Sequence, residues 1–309
     1  MRTLFILVTV LCVLLVPVSV KLYQARQQRL AVEWILENGG YVTYDSDLST
    51  GEFSVSDVIT GNRWLRSVLG NDFFDAVVIV HITNLSDIDI SPLTQLQSLK
   101  TVVLADPQNV DLSPLDSLNQ LDSIDFHFTS ETSFTAKNIA ELSKSGYPLN
   151  VMITGPSIDD LTPIQQLNNI RWLGISDSQV TDLAPLTHLT QLEDLTIFQT
   201  PVKDYSPLKD IKSLERFSAD QCNISDLSSF SGLTQLHFLT LREPNVTDLT
   251  PLAKLVTLRG ISLRSLKAKD LSPLDKLPNL RHLSLSVMQV PKAEIERLEK
   301  ALPNCAISN

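Results

Sequence analysis

Apolar residues recur along this chain with a fixed beat. Segments such as Asn168 to Leu189, Thr190 to Ile211 and Thr234 to Leu255 each fit L-x-x-L-x-L-x-x-x-x-V-x-D-L-x-P-L-x-x-L. The prolines of the Leu-x-Pro-Leu turn mark the period: Pro92, Pro114, Pro163, Pro185, Pro207, Pro251 and Pro273, with Ser229 once in the proline's place. Outside one interval every step is 22 residues. Self-similarity at such a period is the signature of stacked supersecondary units.

The spacing predicts the elements. Leu195 and Ile197, or Leu239 and Leu241, alternate as a short strand does when one face is buried. The Asp-Leu-x-Pro-Leu stretch turns the chain, with proline fixing φ and both leucines returning to the same core. No single unit can bury its apolar face alone. The prediction is therefore an α/β solenoid, a horseshoe or arc of about ten strands with a parallel sheet on the concave side and mostly irregular or 3₁₀ segments on the convex side. One interval departs: Pro114 to Pro163 spans 49 residues, one unit of 22 and one of 27. The long unit contains TAKNIAELSKSG, Thr135 to Gly146, which predicts a helix with Gly146 as its C′ residue.

The flanks have different patterns. Thr3 to Val20 carries no charge, follows Arg2 and precedes Lys21, Arg26 and Arg29. A helix of that length, about 27 Å, is just enough to cross a bilayer. Val18-Ser19-Val20 and Tyr23-Gln24-Ala25 are poor cleavage sites, so an uncleaved anchor is expected over a signal peptide. The expected organisation is a transmembrane signal anchor over 1–20, a juxtamembrane helix and N-terminal cap over 21–76, the repeats over 77–290 and a C-terminal capping helix over 291–309. In the cap, QARQQRLAVEWILEN reads as a helix stopped by Gly39-Gly40, YVTYD as a strand and NRWLRSVLGNDFF as a second helix. Its Trp34, Trp64, Phe73 and Phe74 cover the first repeat. At the other end Ile295 and Leu298 form the apolar stripe of a capping helix.

On these motifs the chain resembles the short bacterial leucine-rich repeats of the internalin type. Its long unit is similar to the helical repeats of ribonuclease-inhibitor-like proteins. The resemblance covers about Val77 to Leu285, and it implies a protein-binding solenoid of the kind found among surface or secreted proteins.

Composition narrows the partners. A net charge of −10 and a pI near 4.9, with no clustered Lys and Arg, argue against nucleic acid. Cys222 and Cys305 are too far apart in a repeat array to predict a disulfide, and Cys222 reads as a small structural residue. His81, His127, His188, His237 and His282 show no metal-ligand spacing, and no nucleophile or phosphate-loop motif occurs, so neither cofactor, metal nor enzymatic activity is expected. Asp111, Asp160, Asp182, Asp204, Asp226, Asp248 and Asp270 recur at one position and could suggest calcium. They come one per repeat, however, and are read as caps of the turn. Asn84, Asn223 and Asn245 head glycosylation-acceptor triplets and are read as turn residues.

What remains is the outward strand face. Counted from the first leucine of each unit, the third, fifth, seventh and eighth positions point away from the core. They place Met152, Trp172 and Phe198 in successive repeats as a candidate apolar patch, with Asp194, Arg216, Asp220 and Arg242 alternating in sign beside it and Phe238 following. An aromatic with adjacent Arg and Asp is the composition of a protein-binding hot spot. The leading expectation is thus a scaffold held at a membrane through residues 3–20 that binds a protein partner, with the repeats on the extracytoplasmic side. The alternatives are a sensor or regulatory subunit of a membrane complex, and a secreted or surface adhesin if the leader is cleaved. Asp125 and His127, outward neighbours in the irregular repeat, are the residues an enzyme reading would use.

Overall fold

The computed structural model describes residues 2–48, 70–83, 87–129, 134–265, 267–286 and 290–308. The chain forms two compact units, Met1–Asp125 and Phe126–Asn309.

The first unit opens with helix α1, Arg2–Glu37, which runs through Pro17 without a break. The expected anchor and the expected juxtamembrane helix are thus one element. The anchor's first residues fall within the 14 whose side chains lie outside the described set. Among the described residues no helix is long and apolar enough to cross a membrane. Past Val20 the helix acquires a packed face. Ala25, Ala31, Val32 and Ile35 are buried at helical spacing, and the Gln28 amide donates to the Asp75 carbonyl at 2.8 Å. Glycine stops it as expected. Gly39 takes φ +73°, a conformation that costs glycine little, and the Gly40 N–H donates to Ile35 O at 2.9 Å.

Strand β1, Tyr41–Tyr44, then pairs antiparallel with β2, Val77–Ile82, where the repeats begin. The Tyr41 and His81 rings stack at 4.2 Å across this pair. A short helix α2, Asp45–Leu48, follows β1. Most of the second expected cap helix, Trp64 included, lies outside the described residues, and its last part is a 3₁₀ turn at Asn71–Phe73. Phe73 is half-buried and packs edge-on to Phe74 at 5.1 Å, while Trp34 is half-buried on α1. β3, Thr101–Ala105, pairs parallel to β2, and β4, Ser123–Phe128, runs across the boundary between the units.

In the second unit β5 to β12 follow in sequence order, each from β6 onward parallel to the one before: Leu149–Thr154, Ile170–Ser176, Asp194–Phe198, Arg216–Asp220, Phe238–Arg242, Gly260–Arg264, His282–Ser286 and Ala306–Ser308. From β6 to β11 the partners across neighbouring strands differ by 22 in number, so the sequence period is the register of the sheet. Each unit's leucines close the core, as Leu183, Leu186, Leu189, Leu192 and Leu195 are all 1% exposed or less. Such a side chain contributes about 1.5–3 kcal/mol on burial. Between strands the Pro-containing turns are five-residue 3₁₀ helices such as Thr162–Gln166 and Ala184–His188, with proline in the first turn where its missing N–H is not needed.

The Asp column caps these turns. Asp111 accepts the Ser113 N–H at 2.9 Å, Asp182 that of Ala184 at 2.8 Å and Asp248 that of Thr250 at 2.8 Å. The backbone N–H of Ser206, then its hydroxyl, hold the Asp204 carboxyl below its ordinary pKa. At Asp226 and Asp270 the following serine hydroxyl leads, with the backbone second.

Two local readings are corrected. The helix of the long unit, α3, is Ala136–Leu142 and ends four residues before Gly146, which does not take positive φ. The Tyr147-Pro148 pair that follows favours extended backbone before β5, and the Ser145 N–H closes a tight turn onto Leu142 O at 3.2 Å instead. In the units of β6 to β10 the eighth position, read as the end of the outward face, is a turn residue. Asp177, Gln199, Gln221, Glu243 and Ser265 have φ between +48° and +56°. Each sits where the chain leaves its strand; the Gln199 N–H, for example, still reaches the Asp220 carbonyl at 3.0 Å.

Helix α4, Lys292–Ala301, buries Leu298 and leaves Ile295 half-buried. Arg297 bridges Asp275 of the last turn and Glu294 of its own helix. The chain then adds β12 to the sheet beside β11.

Candidate binding face

Alternation along each strand decides which residues meet solvent, and the 22-residue register decides which stand side by side. The third-position row in the second unit runs Trp172, Asp194, Arg216, Phe238, Gly260, His282. The seventh-position row runs Ser176, Phe198, Asp220, Arg242, Arg264, Ser286.

Met152 and Trp172 come together, and glycine is the reason. A methyl group on Gly174 would lie 2.5 Å from Met152 Sδ and 2.6 Å from Trp172 Cη2. The indole is folded along its own strand over Gly174, with the thioether beside it on β5. Phe198 does not complete the patch. The register sets it opposite Ser176, four residues beyond Asp194 and so about 13 Å along the strand direction from the Trp172 row. The expected three-residue patch is therefore a pair, Met152 and Trp172, with Phe198 at the other end of the strands beside Asp220.

The charged residues pair as their alternation implied. Arg216 grips Asp194 with two hydrogen bonds, the second at 2.6 Å, and Arg242 reaches Asp220 at 3.4 Å. The arginine side chains remain about half exposed, 52% and 50%. Pairs this exposed contribute about 0–1 kcal/mol to stability. They organise the surface more than they hold the fold.

Phe238 is 41% exposed, and its ring lies over Gly260 of the next strand, where a methyl group would come within 2.7 Å of its Cδ1. Beside it a depression of about 420 Å³ runs across β9 to β12, floored by Thr240, Ser262 and Ser284 and bordered by His282. The sequence reading lacked this site and both aromatic-on-glycine contacts. A glycine at an outward strand position next to an aromatic, at 174 and again at 260, was the available signal.

The residues weighed for other chemistry have structural surroundings. Asp125 is half-buried with the Ser123 hydroxyl at 3.2 Å, and His127 is exposed. Among the described residues no group of His, Cys, Asp and Glu is arranged to hold a metal ion. Cys222 is buried with its thiol 3.2 Å from Asp220 O, and both it and Cys305 are free. Asn223 and Asn245 are exposed turn residues joined amide to amide at 3.3 Å, while Asn84 lies outside the described residues.

No family model matches the chain, and no curated protein matches it. Solved structures do. An internalin from Listeria monocytogenes is 20% identical over 79% of this chain and 86% of its own, with a TM-score of 0.49. A leucine-rich-repeat protein from Leptospira interrogans is 17% identical over 71% of this chain and 56% of its own, with a TM-score of 0.53. The chain has a leucine-rich-repeat fold. TLR13, solved as a complex with ssRNA13, is likewise similar at a TM-score of 0.53 and 17% identity over 74% of this chain. The chain spans just over half the length of the Leptospira protein and 37% of that of TLR13, so these likenesses concern the repeat fold alone.

Proposed function

We propose that this chain is a membrane-anchored scaffold that binds a protein partner on the outward strand face of its second unit. The observation that carries the reading is the Met152–Trp172 pair seated on Gly174 with the Asp194–Arg216 ion pair on the neighbouring strands. An amphipathic aromatic anchor on a rigid strand, next to a charge pair that can exchange partners, is hot-spot chemistry. A neighbour solved with single-stranded RNA shares the fold, but a chain of net charge −10 is poorly suited to a polyanion.

The anchoring half of the reading is supported by α1. Leu15, Val16, Val18, Val20 and Leu22 are each 44–59% exposed on one helix, an apolar surface left open among the described residues. The continuity of α1 from this stretch into the cap also favours the second reading, a sensory or regulatory subunit, because a helix without a break carries a displacement from one end to the other. The extracytoplasmic side remains the favoured one for the repeats. No enzymatic step enters either reading.

The test is site-specific photo-crosslinking in intact cells with a crosslinker in place of Trp172 or, as control, of Thr187 on the turn side. A protein adduct from Trp172 that is absent from Thr187 and lost on Arg216→Ala supports the scaffold. Equal adducts from both positions, or none from Trp172 in a folded chain, sink it. Protease digestion from outside intact cells tests the side of the membrane, and carbonate extraction tests the anchor.

A further inference from the structure

Charge is distributed unevenly over the outward strand face. On β8 the outward Arg216 has Asp194 of β7 next to it, whereas β9, β10 and β11 carry no carboxylate at their outward positions in a chain of net charge −10. Arg242 and Arg264 stand directly opposite each other on β9 and β10, on strands about 4.8 Å apart. Like charges in that relation repel. Asp220 serves Arg242 from one side, while Arg264 is exposed with no ion-pair partner among the described residues. Glu243 follows Arg242 in the left-handed turn after β9 and is itself exposed. Along the same strands lies the depression beside Phe238, with hydroxyls of Thr240 and Ser262 on its floor.

We propose that this depression, with Arg242 and Arg264 at its end, is the docking site for an extended acidic peptide segment of the partner, one in which a carboxylate and an apolar side chain stand four residues apart. The inference rests on the protein-binding reading above and names the chemistry of the partner. The spacing follows from the geometry, because Phe238 in the third-position row and the arginines of the seventh-position row lie four residues, or about 13 Å, apart along the strands. That is two repeats of an extended peptide, so residues i and i+4, which share one face of it, reach both. Glutamate or aspartate on the peptide takes the guanidinium of Arg264 in a two-bond fork and relieves its repulsion with Arg242. The apolar residues lie against Phe238. A nucleic acid fits less well, since two arginines beside an apolar wall neutralise few phosphates.

The experiment uses the full-length chain in detergent micelles and fluorescence anisotropy of a labelled decapeptide that places glutamate four residues from phenylalanine with serine between them. Its counterparts carry glutamine or lysine in place of glutamate, and a uridine decanucleotide stands for nucleic acid. The acidic peptide should bind at least tenfold more tightly than its glutamine version, and a rise in salt should weaken it. Arg264→Glu should abolish this preference and turn it toward the lysine peptide. Arg264 is exposed, so the variant keeps its fold, and an unchanged melting curve checks that it does. Gly260→Ala, which displaces the Phe238 ring, should weaken binding severalfold without changing the salt dependence. Equal binding of acidic and glutamine peptides, indifference to Arg264→Glu, tighter binding of the oligonucleotide, or no peptide binding would each overturn the proposal. If crosslinking from Trp172 still captures a protein in those cases, the scaffold reading stands and only this site is lost.

Discussion

Tyr205 occupies the position that is leucine in the neighbouring repeats, at Leu161, Leu183, Leu227, Leu249 and Leu271. It is 5% exposed, and its hydroxyl has no hydrogen-bond partner of ordinary geometry. The ring stands edge-on to Phe217 at 6.5 Å, and Phe217 stands edge-on to Phe230 at 5.1 Å, an aromatic cluster confined to this part of the second unit. Burial, and after it the neighbouring Cys222 thiol, push the phenol far above its ordinary pKa. Tyr205→Phe removes one oxygen and keeps the ring and its contacts. A buried hydroxyl left unsatisfied costs about 1–3 kcal/mol. The sulfur beside it is a weak partner and returns part of that, so the variant should be more stable by about 1–2 kcal/mol. Urea denaturation followed by circular dichroism reads this as a higher midpoint at unchanged slope, and a thermal scan as a rise of about 2–6 °C. Tyr205→Leu, which restores the residue of the other repeats, should instead lose about 1–3 kcal/mol, because Phe217 is then left without an aromatic edge and a cavity opens. A Tyr205→Phe variant destabilised by 1 kcal/mol or more would refute the reasoning, since the hydroxyl would then be making a hydrogen bond of ordinary strength.

Further predictions follow from the same packing. Gln221→Val should cost about 1–2 kcal/mol in a denaturation experiment, because a β-branched residue is forced into the left-handed region at φ +51°, whereas Gln221→Gly should stay within about 0.5 kcal/mol of the parent. Asp204, Asp226, Asp248 and Asp270 have folded-state pKa values below their unfolded ones. Their stabilisation is complete above about pH 4 and is lost as pH falls through the folded values. Melting temperature should therefore drop on the acid side, and Asp204→Asn with Asp226→Asn should flatten that limb while leaving neutral pH less affected. Arg297→Ala should release α4 from the last turn, at a cost of about 1–2 kcal/mol after allowance for its 35% exposure, and hydrogen exchange should quicken first in β12. Gly174→Ala should shift the emission of Trp172 to longer wavelength, since the methyl group and the indole compete for the same space, and an unchanged spectrum would contradict the stacked geometry.

The repeats were legible because their constraint is one-dimensional. A strand must bury alternate residues, a turn must contain a residue that fixes φ, and each unit must match the next, so Leu195, Ile197, Asp204 and Pro207 announce their roles by position alone. The same holds for the third- and seventh-position rows, whose neighbours are a matter of counting. The pairs Asp194–Arg216 and Asp220–Arg242 could be read that way because opposite charges at one register position find each other.

What the counting could not supply was the direction a side chain takes once it leaves the strand. Trp172 lies down over Gly174 and Phe238 across Gly260, because each glycine leaves a gap that a ring fills with more contact than solvent offers. Beside the Phe238 ring lies the depression across β9 to β12, whereas Phe198 is parted from Trp172 by register alone, four residues along the strand. Gly146 failed as a helix stop because a proline two residues on had already set the backbone. By itself, then, the sequence determined the period, the register, the turn caps and the identity of the outward rows, all of which depend on spacing along one chain. Only the tertiary structure decided which of those outward residues meet, because rotamers answer to volumes contributed by the repeats on either side.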